Sequence, residues 1–464
     1  MILKNILYNL PEVKHPVEKK LSFNVKLKWT LIVIGAFFIL ANIPLFGLEK
    51  NSLSQFEYLA IILGTDFGSI ISLGIGPIVT ASIILQLLVG SGILKIDTHT
   101  SEGKKYFQGL QKILVLFFIV FEAMVYVLFG GLRAAPEIGP AILIIQLILG
   151  GLAIMFMDEL SSKYGFGSGI SLFIVAGVAW RLFTGLFQFI VVEGGIAQVC
   201  FSSSNPNCPG NILIIITSLM NGNLGALQLA FATILATAVI FLVAVWAQNL
   251  KVEVPLSHER LRGVSMKWPL AFFYASNIPV ILTAALVANI QLFAGILQNA
   301  LKHPTILGDI SNGQAISGFV FWVGSTNVVE AIITGSYRNI YLLQSITHIL
   351  FYMAISALFA VFWVKTSGMD EATQAKNILS SGLQIPGFRK DPRVLESILS
   401  RYIMPLTIMG GLAIGAIAAF ADTLGALTSG TALLLAVMIV YQFYQNIAKQ
   451  HALDMHPALR KIMA

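Results

Sequence analysis

Long apolar runs recur along the whole of this chain, and many of them are close to twenty residues long. An α-helix needs about 20 mostly apolar residues to cross the hydrocarbon core of a bilayer. Inside a membrane the backbone must satisfy its own hydrogen bonds, so only helices and closed barrels can span it. Barrel strands are about ten residues long and alternate in polarity, whereas these runs are longer and uniformly apolar. The sequence therefore predicts an all-α polytopic membrane protein.

Composition agrees with this prediction and excludes a soluble domain. Hydrophobic residues make up 56% of the 464 residues and charged residues only 11%, against about 25% charged in soluble proteins. The ten predicted transmembrane helices, spans one to ten, are 29–46, 58–89 (broken by glycines and a proline), 107–130, 140–157, 169–190, 225–246, 269–294, 340–364, 403–420 and 424–444. A further apolar segment, 212–220, is too short to cross the bilayer and is predicted to lie at the membrane interface beside span six.

The positive charges are unevenly distributed between the two sides of this arrangement. Of the 29 Lys and Arg residues, 24 lie in the termini and in the loops that share their side. Cytoplasmic loops carry the excess of Lys and Arg, so we expect a multi-pass protein of the cell membrane with both termini in the cytoplasm. Loops six/seven (247–268) and eight/nine (365–402) are longer than orientation alone requires.

The spans divide into two sets of five around an external loop. Five spans per half force the halves to be inverted relative to each other, a plan known from transporters. The tripeptide Asn-Ile-Pro occurs in spans one and seven, which is weak support for duplication. The predicted units are a cytosolic amphipathic segment (1–28), a first half (29–190), an external hinge loop (191–224), a second half (225–447) and a cytosolic tail (448–464).

The external loop contains both cysteines and a pair of glycines. Gly194 and Gly195 are predicted to form a hinge between the halves. Cys200 and Cys208 lie in CFSSSNPNC. An external compartment permits a disulfide, but two free thiols fit the sequence equally well, and both alternatives stay open.

Signals for enzymatic chemistry are weak. The sequence contains no HExxH, GxSxG or P-loop pattern, so we expect neither an enzyme nor a bound metal or cofactor. Glu122 lies in the middle of span three, where an acid costs about 2.5–3.5 kcal/mol on insertion scales. It is either a functional group or a hydrogen-bonded contact between helices. Asp158 and Glu159 lie at a cytoplasmic helix end and are expected to be solvated.

Three helices begin with small or kink-prone residues followed by branched aliphatics. The segments are GIGPIV (74–79), GSGISLFI (167–174) and SNIPVI (276–281). Residues three or four apart share one helix face, although this spacing alone also fits ordinary packing or lipid contact. The resulting pairs are Ile75 and Val79, Ile170 and Ile174, and Ile278 and Ile281.

These stretches resemble the SecY family, the alpha (central) subunit of the Sec protein translocase channel, in its archaeal and eukaryotic branch. The resemblance runs from PEVKHPVEKKLSF near the N-terminus to HPALRKI at 456–462. Its most specific strings are SLGIGPIVTASIILQLLVGSG (72–92), KYGFGSGISLFIVAGV (163–178), SNIPVIL (276–282), ANIQLF (288–293) and GFRKD (387–391). The resemblance implies an hourglass channel through which secretory polypeptides cross the cytoplasmic membrane and from which membrane proteins enter it laterally.

The family resemblance implies a ring of aliphatic side chains at the waist of the channel. Such a constriction de-wets and resists ions without binding them, and branched aliphatics can move aside for any polypeptide. The matching residues are Ile75, Val79, Ile170, Ile174, Ile278, Ile281 and Leu435.

The resemblance also explains why the second span is broken. YLAIILGTDF (58–67) is implied to be a plug, a short half-helix on the external side of the ring that an incoming chain displaces. The hinge residues uncouple the plug from the span, because proline removes a helical hydrogen bond and glycine relaxes the backbone. The plug residues are Tyr58, Leu63, Asp66 and Phe67, and the hinge residues are Gly74, Gly76 and Pro77.

A lateral gate is implied between spans two and three and spans seven and eight. Thr80, Glu122 and Asn289 match its polar cluster, which favours the functional interpretation of Glu122. Arg260, Arg262, Arg389 and Lys390 match the positions that dock the ribosome and its RNA, and guanidinium groups suit phosphates. Further implied partners are a SecE-like subunit, a small beta-type subunit in the SecG position, the nascent polypeptide with its signal sequence, and the lipid bilayer.

Two other functions fit parts of the sequence. A small-solute secondary transporter would also use broken helices and inverted halves, but it needs polar groups at the midplane, where only Glu122 qualifies. A membrane scaffold without a pore would account for the long docking loops. The sequence contains no nucleotide site, so a motor for translocation must be external.

Overall fold

The fold is described from a computed structural model. It covers residues 10–17, 21–53, 60, 63–96, 100–193, 196–199, 210–258, 265–303, 305–311, 314–380, 383–384 and 391–455. The predicted hinge glycines Gly194 and Gly195 and the two cysteines, Cys200 and Cys208, lie outside these residues.

The first half is helical with two short strands. It comprises α1 (Phe23–Ala41), β1 (Leu48–Asn51), α2 (Gly76–Gly90), α3 (Ser101–Leu128), β2 (Leu132–Ala134), α4 (Pro140–Tyr164) and α5 (Gly169–Phe187). The connection to the second half contains β3 (Ile190–Glu193), β4 (Ile196–Val199) and α6 (Asn211–Asn221). Strands β1 and β2 pair antiparallel, as do β3 and β4. Helix α6 packs against the helix that follows it.

The second half has the same helical character with larger inserted loops. Its elements are α7 (Leu224–Gln248), β5 (Lys251–His258), β6 (Ser265–Ala271), α8 (Ile278–Leu301), β7 (Asp309–Ser311), β8 (Gln314–Ser317), α9 (Phe319–Val323), α10 (Val328–Ile333), α11 (Asn339–Thr366), α12 (Glu371–Ser380), β9 (Leu383–Gln384), α13 (Pro392–Leu424) and α14 (Gly430–Met455).

The helices agree with the predicted number of spans. Within the described part of the chain, nine helices are long and apolar enough to cross a membrane. Helix α2, with 15 residues, accounts for the remaining predicted span. At 1.5 Å per residue it is about 22 Å long, shorter than a bilayer core, because the chain before it forms turns instead of helix.

The two halves meet along two lines of contact. On one side α14 packs against α1 and α5, and on the other side α2 packs against α8 and α11. The core of the molecule lies between these lines and contains buried apolar side chains from both halves.

Several predicted span boundaries were wrong. Span seven was placed at 269–294, but its helix begins at Ile278 because the preceding apolar residues form β6. Leu270 of that strand is buried in a second, smaller core and not in lipid. Span nine was placed at 403–420, but α13 begins eleven residues earlier, at Pro392, since helical hydrogen bonding does not stop at the membrane surface. Span ten begins at Gly430, after a turn.

The shared Asn-Ile-Pro tripeptide marks different places in its two helices. Asn42 is the C-cap residue of α1, whereas Asn277 is the N-cap residue of α8. One copy ends a helix and the other begins one. The tripeptide is therefore not a mark of duplication.

The loops that follow α7 and α11 form one folded unit. Strand β5 pairs with both β6 and β9, so that His258 lies opposite Leu383. The Tyr274 hydroxyl donates to the Met369 carbonyl oxygen at 2.7 Å. Burial, together with Asp370 and Glu371, raises the pKa of Tyr274 above its usual range, so that the hydroxyl keeps its proton and remains a donor.

Candidate functional site

The predicted ring residues all lie near the start of a helix. They occupy the first two turns of α2, α5, α8 and α14, or the residue just before α2. Five of them are at least 96% buried: Ile75, Val79, Ile174, Ile281 and Leu435. Ile170 and Ile278 are partly buried and pack against the same apolar cluster. The fold therefore brings residues from four distant parts of the sequence into one core.

The helices that carry the ring residues are neighbours in space. Helix α2 packs on α8, α8 packs on α14, and α14 packs on α5. The segment before α2 lies between α5 and α2. A Cβ on Gly64 would lie 3.3 Å from Phe173 Cβ and 3.6 Å from Ile75 Cγ2.

The described part of the predicted plug packs against the ring. Leu63 and Phe67 are buried in the central cluster, whereas Asp66 is exposed. The Ile75 backbone N–H donates to the Leu63 carbonyl oxygen at 2.8 Å. The residues from Leu63 to the start of α2 form turns, so the half-helix predicted for 58–67 does not reach this far. Tyr58 lies outside the described residues.

The predicted hinge residues have three separate roles in the structure. Gly74 has φ +53°, and a Cβ there would lie 2.3 Å from the Leu63 carbonyl oxygen. Gly76 lets Glu122 approach closely, since a Cβ would lie 3.1 Å from Glu122 Oε2. Pro77 lies in the first turn of α2, where no intrahelical bond is lost. The expectation that Pro77 removes a helical hydrogen bond was therefore wrong, because this proline begins a helix.

The predicted gate residues form a hydrogen-bonded chain across three helices. Asn289 Nδ2 donates to Thr80 Oγ1 at 2.9 Å, and Thr80 Oγ1 donates to Glu122 Oε1 at 3.1 Å. Glu122 is 1% exposed, and its Oε2 has no hydrogen-bond partner among the described residues. These hydrogen bonds link α2 to both α3 and α8.

Asp158 and Glu159 are not simply solvated, contrary to expectation. Asp158 Oδ1 accepts a hydrogen bond from the Ile170 backbone N–H at 3.0 Å. Glu159 bridges Lys112 at 3.0 Å and Lys163 at 2.9 Å. The part that Asp158 plays in fixing the start of α5 does not follow from the sequence, because its partner is a backbone group twelve residues away.

A cavity of ≈ 420 Å³ opens beside the ring residues. Val79, Ile170, Ile278 and Ile281 line it. Its other walls come from α2 and α3 on one side and from α8 and α11 on the other. The cavity therefore has walls from both of the helix pairs between which a lateral gate was predicted.

The predicted docking residues lie outside the described part of the chain. In the sequence, Arg260 and Arg262 lie between β5 and β6, and Arg389 and Lys390 follow β9. The strands on either side of them are described, and they join the two loops in one sheet.

Comparison with known proteins identifies the class of this channel-like fold. The family model named SecY matches residues 69–444, and the model of the plug domain of Sec61p matches residues 36–68. The chain is 42% identical to the protein translocase subunit SecY of Methanothermobacter thermautotrophicus, covering 98% of this chain and 96% of that one.

Solved structures give the same result. A structure described as that of a protein conducting channel superposes with a TM-score of 0.82 at 36% identity, covering 98% of both chains. Sec61 in the canine ribosome-channel complex from the endoplasmic reticulum gives a TM-score of 0.79 at 35% identity, again covering 98% of both chains.

The fold and the matches define a multi-pass membrane channel with a plug. The chain belongs to the SecY family. It is a protein-conducting channel for translocation and not an enzyme. The alternative of a small-solute secondary transporter is not favoured by these matches.

Proposed function

We propose that the aliphatic ring is the waist through which secretory polypeptides pass. The supporting observation is that four ring residues line an open cavity while the plug segment packs on Ile75 from another direction. An apolar constriction excludes water and ions when it is closed. Its side chains carry no hydrogen-bonding groups, so the ring can seal around any sequence.

The plug is proposed to seal the ring until a chain arrives. Its described part is held by hydrogen bonds to neighbouring segments, including the bond from Ile75 N–H to Leu63 O and one from Asn51 Nδ2 to Phe67 O at 2.8 Å. An incoming chain would have to break these bonds to displace the plug. Displacement of the plug would leave Gly74 as the pivot.

The gate is proposed to open between α2 and α8. Thr80 is hydrogen-bonded to both Asn289 and Glu122 in the closed arrangement. An arriving signal helix would separate these groups and place apolar surface against lipid. Membrane proteins would leave the channel by the same route.

The sheet formed by β5, β6 and β9 is proposed to present the ribosome-docking residues. The canine relative is described in a complex with the ribosome. Pairing of Ser257 with Gln384 keeps the two loops together, so that Arg260, Arg262, Arg389 and Lys390 can act as one basic surface on RNA phosphates. SecE-like and beta-type subunits are proposed as partners in the membrane. We place the channel in the cell membrane with both termini in the cytoplasm.

The test is site-specific photo-crosslinking to a stalled secretory chain. A photoreactive residue replaces Val79, and membranes receive ribosomes stalled on a partly made secretory chain. We expect a nascent-chain adduct at Val79. The control is Phe117, which is 57% exposed on α3 and is expected to give no adduct.

Absence of the Val79 adduct while ribosomes remain bound would contradict the pore assignment. That result would favour the scaffold without a pore. Glycine at Ile75, Val79, Ile170 or Ile174 provides a second measurement, since a wider apolar constriction should conduct ions. Unchanged conductance in all four variants would argue against the ring.

A further inference from the structure

The cavity beside the ring has a lining that the aliphatic waist does not explain. Its volume of ≈ 420 Å³ falls within the roughly 300–1,000 Å³ typical of ligand sites. One end is closed by the ring residues. The remaining walls carry glutamine, serine and threonine side chains, among them Gln86, Gln108, Gln111 and Ser367.

These polar groups are almost entirely uncharged. Lys104 is the only ionisable residue among the described residues that line the cavity, and none of those residues is acidic. An anionic ligand would be expected to meet several cations, and a cationic ligand to meet a carboxylate. The lining therefore suits a neutral ligand that forms hydrogen bonds.

Two of the lining groups are buried and unpaired. Gln86 is 4% exposed, and its Oε1 has no hydrogen-bond partner among the described residues. The same holds for Ser367 Oγ on the opposite wall. Buried acceptors of this kind are rare in proteins because leaving them unpaired is unfavourable. Both point to a ligand that supplies a donor within the cavity.

The position of Gln86 relates it directly to the ring. Val79, Ser82 and Gln86 are spaced by three and four residues along α2, so they share one face. Gln86 lies two helical turns, about 10 Å, from the ring residue Val79. Gln111 on α3 donates to Ser82 Oγ at 2.7 Å, which holds the α3 wall against this face.

We propose that this cavity binds the peptide backbone of the chain in transit through its neutral side chains, with Gln86 Oε1 accepting a backbone N–H. The proposal rests on the function proposed above and deepens it. Translocated sequences differ in their side chains but share the peptide group, which carries one donor and one acceptor. A glutamine side chain carries the same amide group. A peptide backbone loses its hydrating water before it enters the apolar ring, and these side chains would replace that water as hydrogen-bond partners.

The test removes a single backbone donor from the substrate. A stalled secretory chain is prepared with one peptide bond, at the residue expected in the cavity, replaced by an ester, which has no N–H. A photoreactive residue at Phe107, which lines the cavity, reports occupancy in intact translocase membranes. Loss of one hydrogen bond should lower the adduct yield about threefold to tenfold.

Gln86→Leu should remove this difference between amide and ester substrates, because the acceptor is gone. Ser367→Ala, on the less buried wall, tests the second acceptor and should reduce the difference between amide and ester substrates. This variant keeps the proposal testable if Gln86→Leu fails to assemble. Gln228→Leu is the matched control, since Gln228 is exposed on α7, and it should leave the full difference.

The proposal would be overturned if the amide and ester substrates gave the same adduct yield in the unaltered protein. It would also be overturned if the difference in yield were as large in Gln86→Leu and Ser367→Ala as in the unaltered protein. The adduct at Val79 separates this failure from failure of the pore. If Val79 still reacts with both substrates, only the backbone site is wrong. If it reacts with neither, the proposed translocation path itself is wrong.

Discussion

At the scale of single residues, the site depends on a few positions where a small or polar side chain is essential. Gly74 allows the chain to turn sharply between Leu63 and α2. Thr80 provides the hydroxyl that joins Asn289 to Glu122. Each position can be altered with a matched control elsewhere in the chain.

Gly74→Ala is expected to displace the plug and raise ion conductance in planar bilayers. The left-handed backbone costs a non-glycine residue about 1–2 kcal/mol, and the new Cβ would lie 2.3 Å from the Leu63 carbonyl oxygen. Gly92→Ala is the control, because Gly92 has φ +79° with nothing within 4 Å of its Cβ position. Equal conductance in the two variants would show that strain at Gly74 does not act on the plug.

Thr80→Val is expected to weaken the closed gate. It leaves the Asn289 amide and the Glu122 carboxylate buried without the hydroxyl between them, which costs about 1–3 kcal/mol. Export of a precursor with a weakly apolar signal sequence should therefore increase. Thr233→Val should have no such effect, since the Thr233 hydroxyl bonds carbonyls of its own helix. Export equal to that of the unaltered protein would remove Thr80 from the gate.

At the scale of elements, the hairpin of β5 and β6 leads directly into the ring. Only a short turn separates Ala271 from Ile278. Ser276 in that turn has φ 62°, a strained conformation for a residue other than glycine. Gln442 of α14 donates to both Ser276 Oγ and Asn277 Oδ1. Movement of the hairpin can therefore reach α8 and α14 together.

Gln442→Leu is expected to loosen this junction. The variant loses one donor to Asn277, which is 2% exposed and keeps a hydrogen bond from Ser276 Oγ, so the free energy of unfolding should fall by about 0.5–1.5 kcal/mol. Denaturation in detergent micelles measures this change. Asn446→Leu, at an exposed position on the same helix, should leave stability within about 0.5 kcal/mol. The same loss in both variants would contradict a specific role for Gln442.

At the scale of the whole molecule, we expect the distribution of charge to decide which loops lie on each side of the membrane. The N-terminal segment lies against the end of α4, where Lys163 contacts Glu12 at 3.4 Å and the Tyr164 hydroxyl donates to the Lys14 carbonyl oxygen at 2.9 Å. The N-terminus and the loop after α4 are therefore on one side, as the distribution of Lys and Arg predicts.

A cysteine at Lys105 and one at Glu137 should report opposite sides of the membrane. Both residues are exposed, and Cys200 and Cys208 are first replaced by serine. In intact cells a membrane-impermeant maleimide should label Glu137→Cys and not Lys105→Cys, because positively charged loops stay in the cytoplasm. Inverted vesicles should give the reverse pattern. Labelling of Lys105→Cys in intact cells would reverse the proposed orientation.

The sequence by itself determined the class of fold, because a run of apolar residues long enough to cross a bilayer is a local property. It also predicted the ring and gate residues through strings that resemble a known family. It placed the starts of α4, α5, α7 and α11 within one residue, but it missed where α8 and α14 begin. The apolar residues of β6 resemble a continued span, and only their packing in the second core shows that they are not one.

Only the tertiary structure decided which groups are satisfied and which are not. Asp158 fixes the start of α5, Gly76 makes room for Glu122, and Gln86 lies unpaired in a cavity next to the ring. None of these features follows from sequence spacing. Asp158 and Gly76 depend on groups that the fold brings from elsewhere in the chain, and Gln86 Oε1 has no partner among the described residues. The length of an apolar segment can be determined from the sequence alone, but hydrogen-bond partners depend on distances between groups in the folded protein.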